Sequence, residues 1–413
     1  MTLISQIFSE NPSFTSKQRK NALVKLKVLK TIFENYAITI NEVATKVNLS
    51  LPTLNLIMSE LIQEGLLEQK SKGESIGGRK PNLYQIKNRI LNILSIEIER
   101  FTVRLIVLDN NNEIVHEGKT YTNNLAKDAD KIDNLIEIIR QYAVESKLDW
   151  FTIMGIGILM PGLINTETGE NLTFYYAPNF NLRQHIKETF QKDVYILNDV
   201  KAAAISELNY GAAIGKKNVL IIQMDWGIGL GIIINGEVYM GNDGFSGEVG
   251  HMVFVEDGQL CYCGKRGCLE TVASGVALVN RAKEDIAEKI PTTLTQLPEK
   301  EALLPKDIIE AANLGDQYAI DLLNILGKNL GKAISHLIQL FNPQMIVMSG
   351  KFADAGTFIT LPIQLGIQTY TMNALKNSCE LRVSTLGENG PVNGIVLYSI
   401  TRYLDSLIVK MEK

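Results

Sequence analysis

The sequence is poor in cysteine and in long apolar runs, and both shortages limit what the protein can be. Four cysteines in 413 residues suit a reducing compartment and do not build a disulfide framework. The most apolar window, residues 219–235, is interrupted by Asp225 and several glycines, which argues against a membrane span. The first eleven residues lack a basic start followed by an apolar core, so we expect no signal peptide and a cytoplasmic protein.

Aspartate is missing from the first ninety residues, which hold thirteen Lys or Arg against seven Glu and carry a net charge of about +6. The remaining residues carry about −10, so the overall charge of −4 hides two regions of opposite sign. A basic module on an acidic body indicates that the first region meets a polyanion. A solvated basic face without a partner would have the same charge.

Two short helices joined by a tight turn are predicted in the basic region. Thr39 is placed to cap the first helix, and Glu42 completes a capping box. Ser50 is placed to cap the second, with Pro52 in its first turn. The apolar positions of the second helix fall on one side: Leu54, Ile57, Met58 and Leu61. This is the helix-turn-helix pattern.

Two strand-like segments, residues 66–70 and 83–86, follow the helices and surround a glycine-rich tip, as in a wing. A glycine-flanked arginine at this tip, Arg79, is thin enough to enter a narrow minor groove. We expect the major groove to be contacted by Ser50, Thr53, Asn55 and Leu56, and the minor groove by Arg79 with Lys80. The side chains expected at DNA phosphates are Lys17, Arg19, Lys20, Lys70, Lys72 and Lys80. A winged helix that binds a protein would use the same helices.

Strands and helices alternate twice in residues 90–413, which predicts two α/β lobes with a cleft between them. An alternating run at 90–108 leads into a turn at 110–112. We assign residues 1–88 to a winged helix-turn-helix domain and 89–200 to a first α/β lobe, completed by a closing helix at 391–413. Residues 201–390 form the second lobe.

One histidine and three cysteines lie within eighteen residues: His251, Cys261, Cys263 and Cys268. Three thiolates and one imidazole make a closed tetrahedral set for a structural Zn²⁺, with no position left for water. The alternative is four unrelated residues or cysteines in a disulfide. Polar side chains accumulate around this loop and at a strand end, namely Asn198, Asp199, Glu248, His251 and Glu270. Together these groups can hydrogen-bond several hydroxyls of a polyol.

The motifs Glu248-Val249-Gly250-His251, Cys261-Tyr262-Cys263-Gly264 and Gly267-Cys268-Leu269-Glu270 resemble the signature of the ROK family (repressors, open reading frames and sugar kinases). Pro161-Gly162, Asn198-Asp199 and Asn342-Pro343 fit the same order. The resemblance covers about residues 90–410, and the N-terminal winged helix is similar to that of the repressor branch.

The resemblance implies a two-lobed actin-like ATPase domain, shared with hexokinases, and a zinc loop made by the histidine and three cysteines. It implies that a sugar is contacted at the five polar positions given above. In the kinases of the family, the position matching Asp199 is the general base.

The sequence departs from the kinases of that family where phosphate would bind. Their Asp-x-Gly-Gly-Thr loop aligns with residues 97–101, so that Glu97, Glu99 and Phe101 replace an aspartate, a glycine and the threonine. Their second loop aligns with residues 225–229, where Asp225 and Trp226 stand. Carboxylates repel phosphate and large rings fill its space. We therefore predict that ATP binding is lost and that the protein is not an enzyme.

The resulting hypothesis is a transcriptional regulator, a repressor released from its operator by a monosaccharide or sugar phosphate. We expect double-stranded DNA as a partner and a homodimer or homotetramer, because a symmetric dimer reads a pseudo-palindrome. Glucose, xylose and N-acetylglucosamine derivatives remain open as effectors. An active sugar kinase with an attached DNA-binding domain and a protein-binding scaffold are the alternatives.

Overall fold

The computed structural model describes residues 4, 15–35, 37–72, 82–125, 131–175, 180–296 and 303–412. The chain divides into two compact units. The first comprises Met1–Gly162, Thr168–Leu197 and Ile395–Lys413, and the second comprises Leu163–Glu167 and Asn198–Gly394. Across the described ranges, no helix combines the length and apolar character that a membrane crossing requires.

The first unit begins with a winged helix. Its helices are α1 (Ser16–Glu34), α2 (Ile40–Val47) and α3 (Leu51–Gln63), and its antiparallel sheet has the order β1 (Ile38–Thr39), β3 (Asn82–Ile86), β2 (Leu67–Lys72).

The predicted helix caps are confirmed: Thr39 and Glu42 form the capping box of α2, and the Ser50 side chain accepts from the Thr53 N–H at the start of α3. Asn48 ends α2 in the left-handed conformation, which produces the tight turn.

The rest of the first unit is built on a five-stranded sheet with the order β6-β5-β4-β7-β8. Its strands and helices are β4 (Asn92–Ile98), β5 (Thr102–Leu108), β6 (Ile114–Thr122), α4 (Lys131–Glu145), β7 (Ile153–Met160), α5 (Leu182–Phe190), β8 (Asp193–Asn198) and the end of α12 (Gly390–Glu412). The alternating run at 90–108 is two antiparallel strands. The Glu99 N–H donates to the Thr102 carbonyl (2.9 Å) and closes the turn between them.

The second unit repeats the same strand order, β11-β10-β9-β12-β13. Its elements are α6 (Asp199–Tyr210), β9 (Val219–Met224), β10 (Ile228–Ile234), β11 (Glu237–Val238), α7 (Glu270–Ala273), α8 (Gly275–Ala287), α9 (Pro305–Asn313), α10 (Gln317–Phe341), β12 (Met345–Ser349), α11 (Thr357–Tyr370) and β13 (Glu380–Val383). In each sheet, the three strands that come first in the chain form an antiparallel meander. The fourth strand along the chain (β7 or β12) pairs in parallel with the first (β4 or β9). The predicted pair of α/β lobes is confirmed.

The central strand β9 divides the core of the second unit into two layers. Leu220, Ile222 and Met224 pack in the large cluster that includes residues of α8 to α11. Val219 and Ile221 point the other way and pack with alanines of α6. This alternation is what a strand buried on both faces requires.

The segment that joins the winged helix to β4 is held by the turn between β5 and β6. The buried Asp109 carboxylate accepts from the N–H groups of Arg89 (2.8 Å), Asn111 (2.9 Å) and Glu113 (2.9 Å). The Asn110 side chain accepts from the N–H groups of residues 90 and 91 and donates to the carbonyl of residue 87. The joining segment is therefore hydrogen-bonded to the first lobe along its length.

Two ion pairs connect the winged helix with the end of the chain. Lys30 on α1 lies 2.5 Å from Asp405 on α12, and Lys27 lies 2.9 Å from Glu412. Both pairs are partly exposed, so each contributes little alone, about 0–1 kcal/mol. With the turn at Asp109, they give the winged helix contacts at two separate places of the same unit.

Candidate functional site

The outer face of α3 carries the side chains predicted at the major groove. Thr53, Asn55 and Leu56 are exposed, whereas Leu54 and Ile57 are buried against the module. The Ser50 hydroxyl lies 2.8 Å from that of Thr53, so these two groups form the cap at the start of the helix. The helix therefore presents its amino-terminal half outward, as a recognition helix does.

The structure describes only some of the other side chains that are predicted to contact DNA. Lys17, Arg19, Lys20 and Lys70 are exposed. Lys46 at the end of α2 is also exposed and is a further cation that the sequence interpretation did not include. Arg79 and Lys80 at the tip of the wing lie outside the described residues, and so does the side chain of Lys72.

The candidate effector residues of the second unit lie beside strand β10. Glycines in this strand and in the neighbouring segment allow other parts of the chain to pack closely against it. A Cβ at Gly229 would lie 2.3 Å from Val200 Cγ2, and one at Gly231 would lie 2.8 Å from Ala204 Cβ. These contacts bring α6 onto the strand. Asn198 caps α6, and Asp199 is its first residue, so both stand at the helix terminus beside β10.

Glu248 and His251 reach the same strand from a different segment. A Cβ at Gly247, whose φ is +87°, would lie 1.9 Å from the Leu230 carbonyl oxygen, and one at Gly250 would lie 2.6 Å from that of Ile228. The Leu230 N–H donates to the Gly247 carbonyl (3.2 Å). Glycine at these two positions is therefore a steric requirement for carrying Glu248 past β10.

Glu270 lies next to the turn that leads into β10. Its carboxylate would be 2.6 Å from a Cβ at Gly227, and its Oε1 lies 3.9 Å from the Cys261 sulfur. It is 5 % exposed and is the first residue of α7. The polar residues predicted from the sequence thus come from three segments that all contact β10 or the turn before it.

Lys201 is a buried cation beside these residues, and the sequence interpretation did not single it out. Its side chain is 2 % exposed, and its ammonium donates to the Ser246 carbonyl (2.5 Å) and hydroxyl (2.6 Å). Burial lowers the pKa of Lys201 to about 8, against the opposing effect of the Glu248 charge. Burial raises the pKa of Glu248, and the Lys201 charge opposes this. Lys201 therefore ties α6 to the segment that carries Glu248.

The lowered pKa of Lys201 has a consequence for stability. Between about pH 8 and the ordinary lysine value of 10.5, the unfolded chain binds more protons at this position than the folded one, so this residue makes stability rise with pH. We expect the free energy of unfolding of the wild type to increase relative to Lys201→Met across this window, measured by urea denaturation. Lys217→Met, at an exposed lysine, is the matched control. A Lys201→Met difference that stays constant with pH would contradict the expectation.

The metal-ligand candidates converge. One donor atom each from His251, Cys261, Cys263 and Cys268 lies within 4.8 Å of all the others. The Cys261 sulfur is 3.6 Å from His251 Nδ1, and the sulfurs of Cys263 and Cys268 are 3.6 Å apart. Bonds of about 2.3 Å to sulfur and about 2.0 Å to nitrogen in a tetrahedron give ligand separations of about 3.5–3.8 Å. The donor set fits Zn²⁺, and these two separations match that geometry.

The backbone shape of this loop depends on glycine. Gly264 and Gly267 have φ values of +88° and +73°, and a Cβ at Gly267 would lie 1.8 Å from the Val255 carbonyl oxygen. Burial raises the pKa of the Cys261 thiol to about 12, so this thiol needs a cation to become a thiolate near neutral pH. A bound metal would supply that charge.

The second nitrogen of His251 has a partner. With Nδ1 facing the sulfurs, Nε2 lies 3.1 Å from the Tyr262 hydroxyl, which is on the metal loop itself. The two rings meet edge to face, with centroids 5.1 Å apart. The sequence did not indicate Tyr262 as a partner of His251, because a tyrosine between two cysteines has no distinctive spacing.

Asp225 is engaged with the protein backbone. Its carboxylate accepts from the Lys351 N–H (2.7 Å) and from the Gln223 side chain (3.1 Å). The Asp225 and Trp226 carbonyls accept from the N–H groups at the start of α8. The carboxylate therefore uses a backbone donor that a phosphate could otherwise bind.

In the first unit, Glu99 and Phe101 lie in the turn between β4 and β5. The Thr102 hydroxyl donates to the Glu99 carboxylate (3.1 Å), and Glu97 pairs with Arg104 (3.5 Å). The Phe101 ring lies 5.6 Å from the Arg100 guanidinium. One carboxylate, that of Glu99, and the Phe101 ring therefore lie in the turn that the sequence alignment matches to the glycines and threonine of the kinase loop, whereas Glu97 lies in β4.

Comparison with known families gives two matches on separate parts of the chain. The ROK family matches residues 93–401. A winged helix-turn-helix DNA-binding family matches residues 23–68.

Individual relatives span nearly the whole chain or its body. The xylose repressor of Bacillus spizizenii is 30 % identical over 389 residues, which are 93 % of this chain and 96 % of that protein. The glucokinase of Halalkalibacterium halodurans is 31 % identical over 308 residues, or 73 % of this chain and 92 % of the kinase. A crystal structure of a ROK family transcriptional regulator, homologous to the Escherichia coli MLC protein, superposes with a TM-score of 0.74 at 27 % identity, covering 95 % of this chain and 99 % of that one.

Proposed function

The chain belongs to the ROK family, and we propose that it is a sugar-responsive transcriptional repressor that binds operator DNA through its winged helix. The observation that carries this proposal is the combination, in one chain, of an exposed recognition helix and a ROK body whose polar residues adjoin β10 and the metal loop. The similarity over nearly full length to a xylose repressor supports the same function.

We propose that the effector is bound by Asn198, Asp199, Glu248, His251 and Glu270. Carboxylates accept hydrogen bonds from sugar hydroxyls, and an amide both donates and accepts. The second nitrogen of a metal-bound His251 would contact a sugar hydroxyl by sharing or exchanging its present partner, the Tyr262 hydroxyl. Zn²⁺, held by His251 and the three cysteines, would fix the loop that carries two of these groups. The proposed assembly is a homodimer or homotetramer in the cytoplasm, which would present two winged helices to a palindromic operator.

An effector acts on DNA binding only through its different affinity for the two states of the protein. A coupling of about 1–3 kcal/mol changes operator affinity about 5- to 150-fold. The winged helix is hydrogen-bonded to the first lobe through Asp109 and Asn110, so a shift of that lobe is transmitted to the module without a flexible joint.

The test uses the full chain and the DNA upstream of its own gene. Operator affinity is measured by fluorescence anisotropy at several salt concentrations, with xylose, glucose, N-acetylglucosamine and their phosphates added in turn. Asp199→Asn and Glu270→Gln are expected to keep DNA affinity and to lose at least about 10-fold of the sugar response, because each removes an acceptor of charge-assisted hydrogen bonds. Glu237→Gln, on an exposed strand end, is the control. Unchanged sugar response in both site variants would exclude the proposed effector site.

A kinase with an attached DNA-binding domain is the second candidate, favoured by Asp199 and by the similarity to a glucokinase. Two features oppose this function. In the loop aligned with the second phosphate loop of the kinases, the Asp225 carboxylate already accepts from the Lys351 N–H. In the loop aligned with the first, Glu99 introduces a negative charge. A coupled assay with hexoses and ATP separates the two functions, since measurable turnover would establish the kinase.

A further inference from the structure

The recognition helix α3 is almost without charge. Glu60 is the single ionisable residue among Leu51–Gln63. Its carboxylate lies 2.8 Å from the Lys25 ammonium and 3.5 Å from the Asn21 amide, both on α1. The hydrogen bond from Lys25 is the largest cause of the lowered pKa of Glu60, so this group stays ionised and paired.

The outer face of the helix consists of small polar and apolar side chains. Leu56 is 62 % exposed and Leu51 is 44 % exposed, although other leucines of the same helix are fully buried. Asn55 is exposed beside Leu56. Because the amino-terminal residues of a recognition helix contact the base edges, these are the side chains that meet the major groove.

The chemistry of base recognition restricts what such a face can read. Guanine is recognised in the major groove by Arg or Lys, and cytosine by Glu or Asp. The helix has no Arg or Lys, and its one carboxylate is bound to Lys25. Hydroxyls can contact several bases, but those of Ser50 and Thr53 are bonded to each other and that of Ser59 donates to the Asn55 carbonyl. Adenine is recognised by Asn or Gln, and the thymine methyl group by apolar side chains.

We infer that this chain reads A·T base pairs in the major groove, with Leu56 against thymine methyl groups and Asn55 paired with adenine. The inference rests on the proposed DNA-binding function and specifies its target. The operator half-site has A·T pairs at the positions that α3 contacts, whatever its sequence elsewhere.

The experiment begins with selection of binding sites by the full chain from a library of random 30-base-pair duplexes. The selected consensus is then synthesised with single thymines replaced by deoxyuridine, which removes only the methyl group. Affinity is expected to fall about 4-fold for each contacted thymine, the value of one buried methyl-sized group. Replacing a contacted adenine with 7-deazaadenine is expected to weaken binding by about 10-fold.

Variants then assign each effect to its residue. Leu56→Ala is expected to bind the thymine and deoxyuridine duplexes equally, and Asn55→Ala to be indifferent to 7-deazaadenine. Ile62→Ala is the matched control, an exposed apolar residue in the last turn of the same helix, and it should keep both preferences. Since both test positions are exposed, thermal melting should be unchanged within error.

Three other outcomes of these experiments would contradict the inference or the DNA-binding function on which it rests. Selection of G·C pairs at the positions that Leu56→Ala and Asn55→Ala affect would overturn the inference and leave the DNA-binding function intact. The inference is also overturned if deoxyuridine does not weaken binding of the wild type and Leu56→Ala does not change DNA affinity. The apolar face would then be assigned to a protein partner. Failure to select any duplex would refute the proposed function itself.

Discussion

Replacing Cys263 with serine is expected to abolish the proposed zinc binding, to lower the free energy of unfolding by several kcal/mol and to abolish the sugar response together. Structural zinc contributes to folding outright, and the four residues proposed to hold it shape the segment that carries His251 and Glu270. Metal content is measured by mass spectrometry of the purified chain, stability by denaturation, and the response by operator titration with sugar. All three quantities should fall in the same variant.

Cys379→Ser is the matched control, because Cys379 is the one cysteine of the sequence outside the cluster. It should keep the metal and the sugar response. A Cys263→Ser protein that lacks metal and still releases DNA normally with sugar would show that the loop and the effector site are independent.

The second large effect is expected for Asp109→Ala. The carboxylate is fully buried and accepts three backbone hydrogen bonds, one of them from Arg89 in the joining segment. Its removal leaves three partly buried N–H groups without their acceptor, which costs on the order of 3 kcal/mol. Urea denaturation measures the loss, and limited proteolysis near residue 89 shows whether the joining segment has been released.

Asp109→Asn keeps an acceptor oxygen at the same place and should lose less than the alanine variant. Asp321→Ala, at an exposed position of α10, should change stability by less than about 0.5 kcal/mol. Equal stability of Asp109→Ala and the wild type would mean that water satisfies these N–H groups.

The sequence predicted well those elements whose signals are local. The capping box of α2 and the Ser50 cap of α3 could be predicted because a cap and the first turn of its helix lie within four residues of each other. Apolar alternation predicted both lobes, but it did not resolve the turn at Glu99, where the strand pattern continues across the break.

Contacts between distant residues could not be predicted in the same way. A lysine in a helical pattern indicates a solvated position, and Lys201 is buried only because Ser246, 45 residues later, supplies two acceptors. The roles of Asn110 and Tyr262 likewise depend on partners that tertiary packing supplies. The grouping of Asp199, Glu248 and Glu270 beside β10 depends on glycines whose meaning is steric and appears only in three dimensions.

The ion pairs of Lys27 and Lys30 connect α1 with α12, two helices that are far apart in the sequence. Asp405 lies 375 positions from Lys30, yet the final helical turns support the helix on which the recognition helix rests. Loss of the residues from Asp405 onward would therefore weaken the support of the recognition helix, and natural selection on operator recognition would also act on these residues.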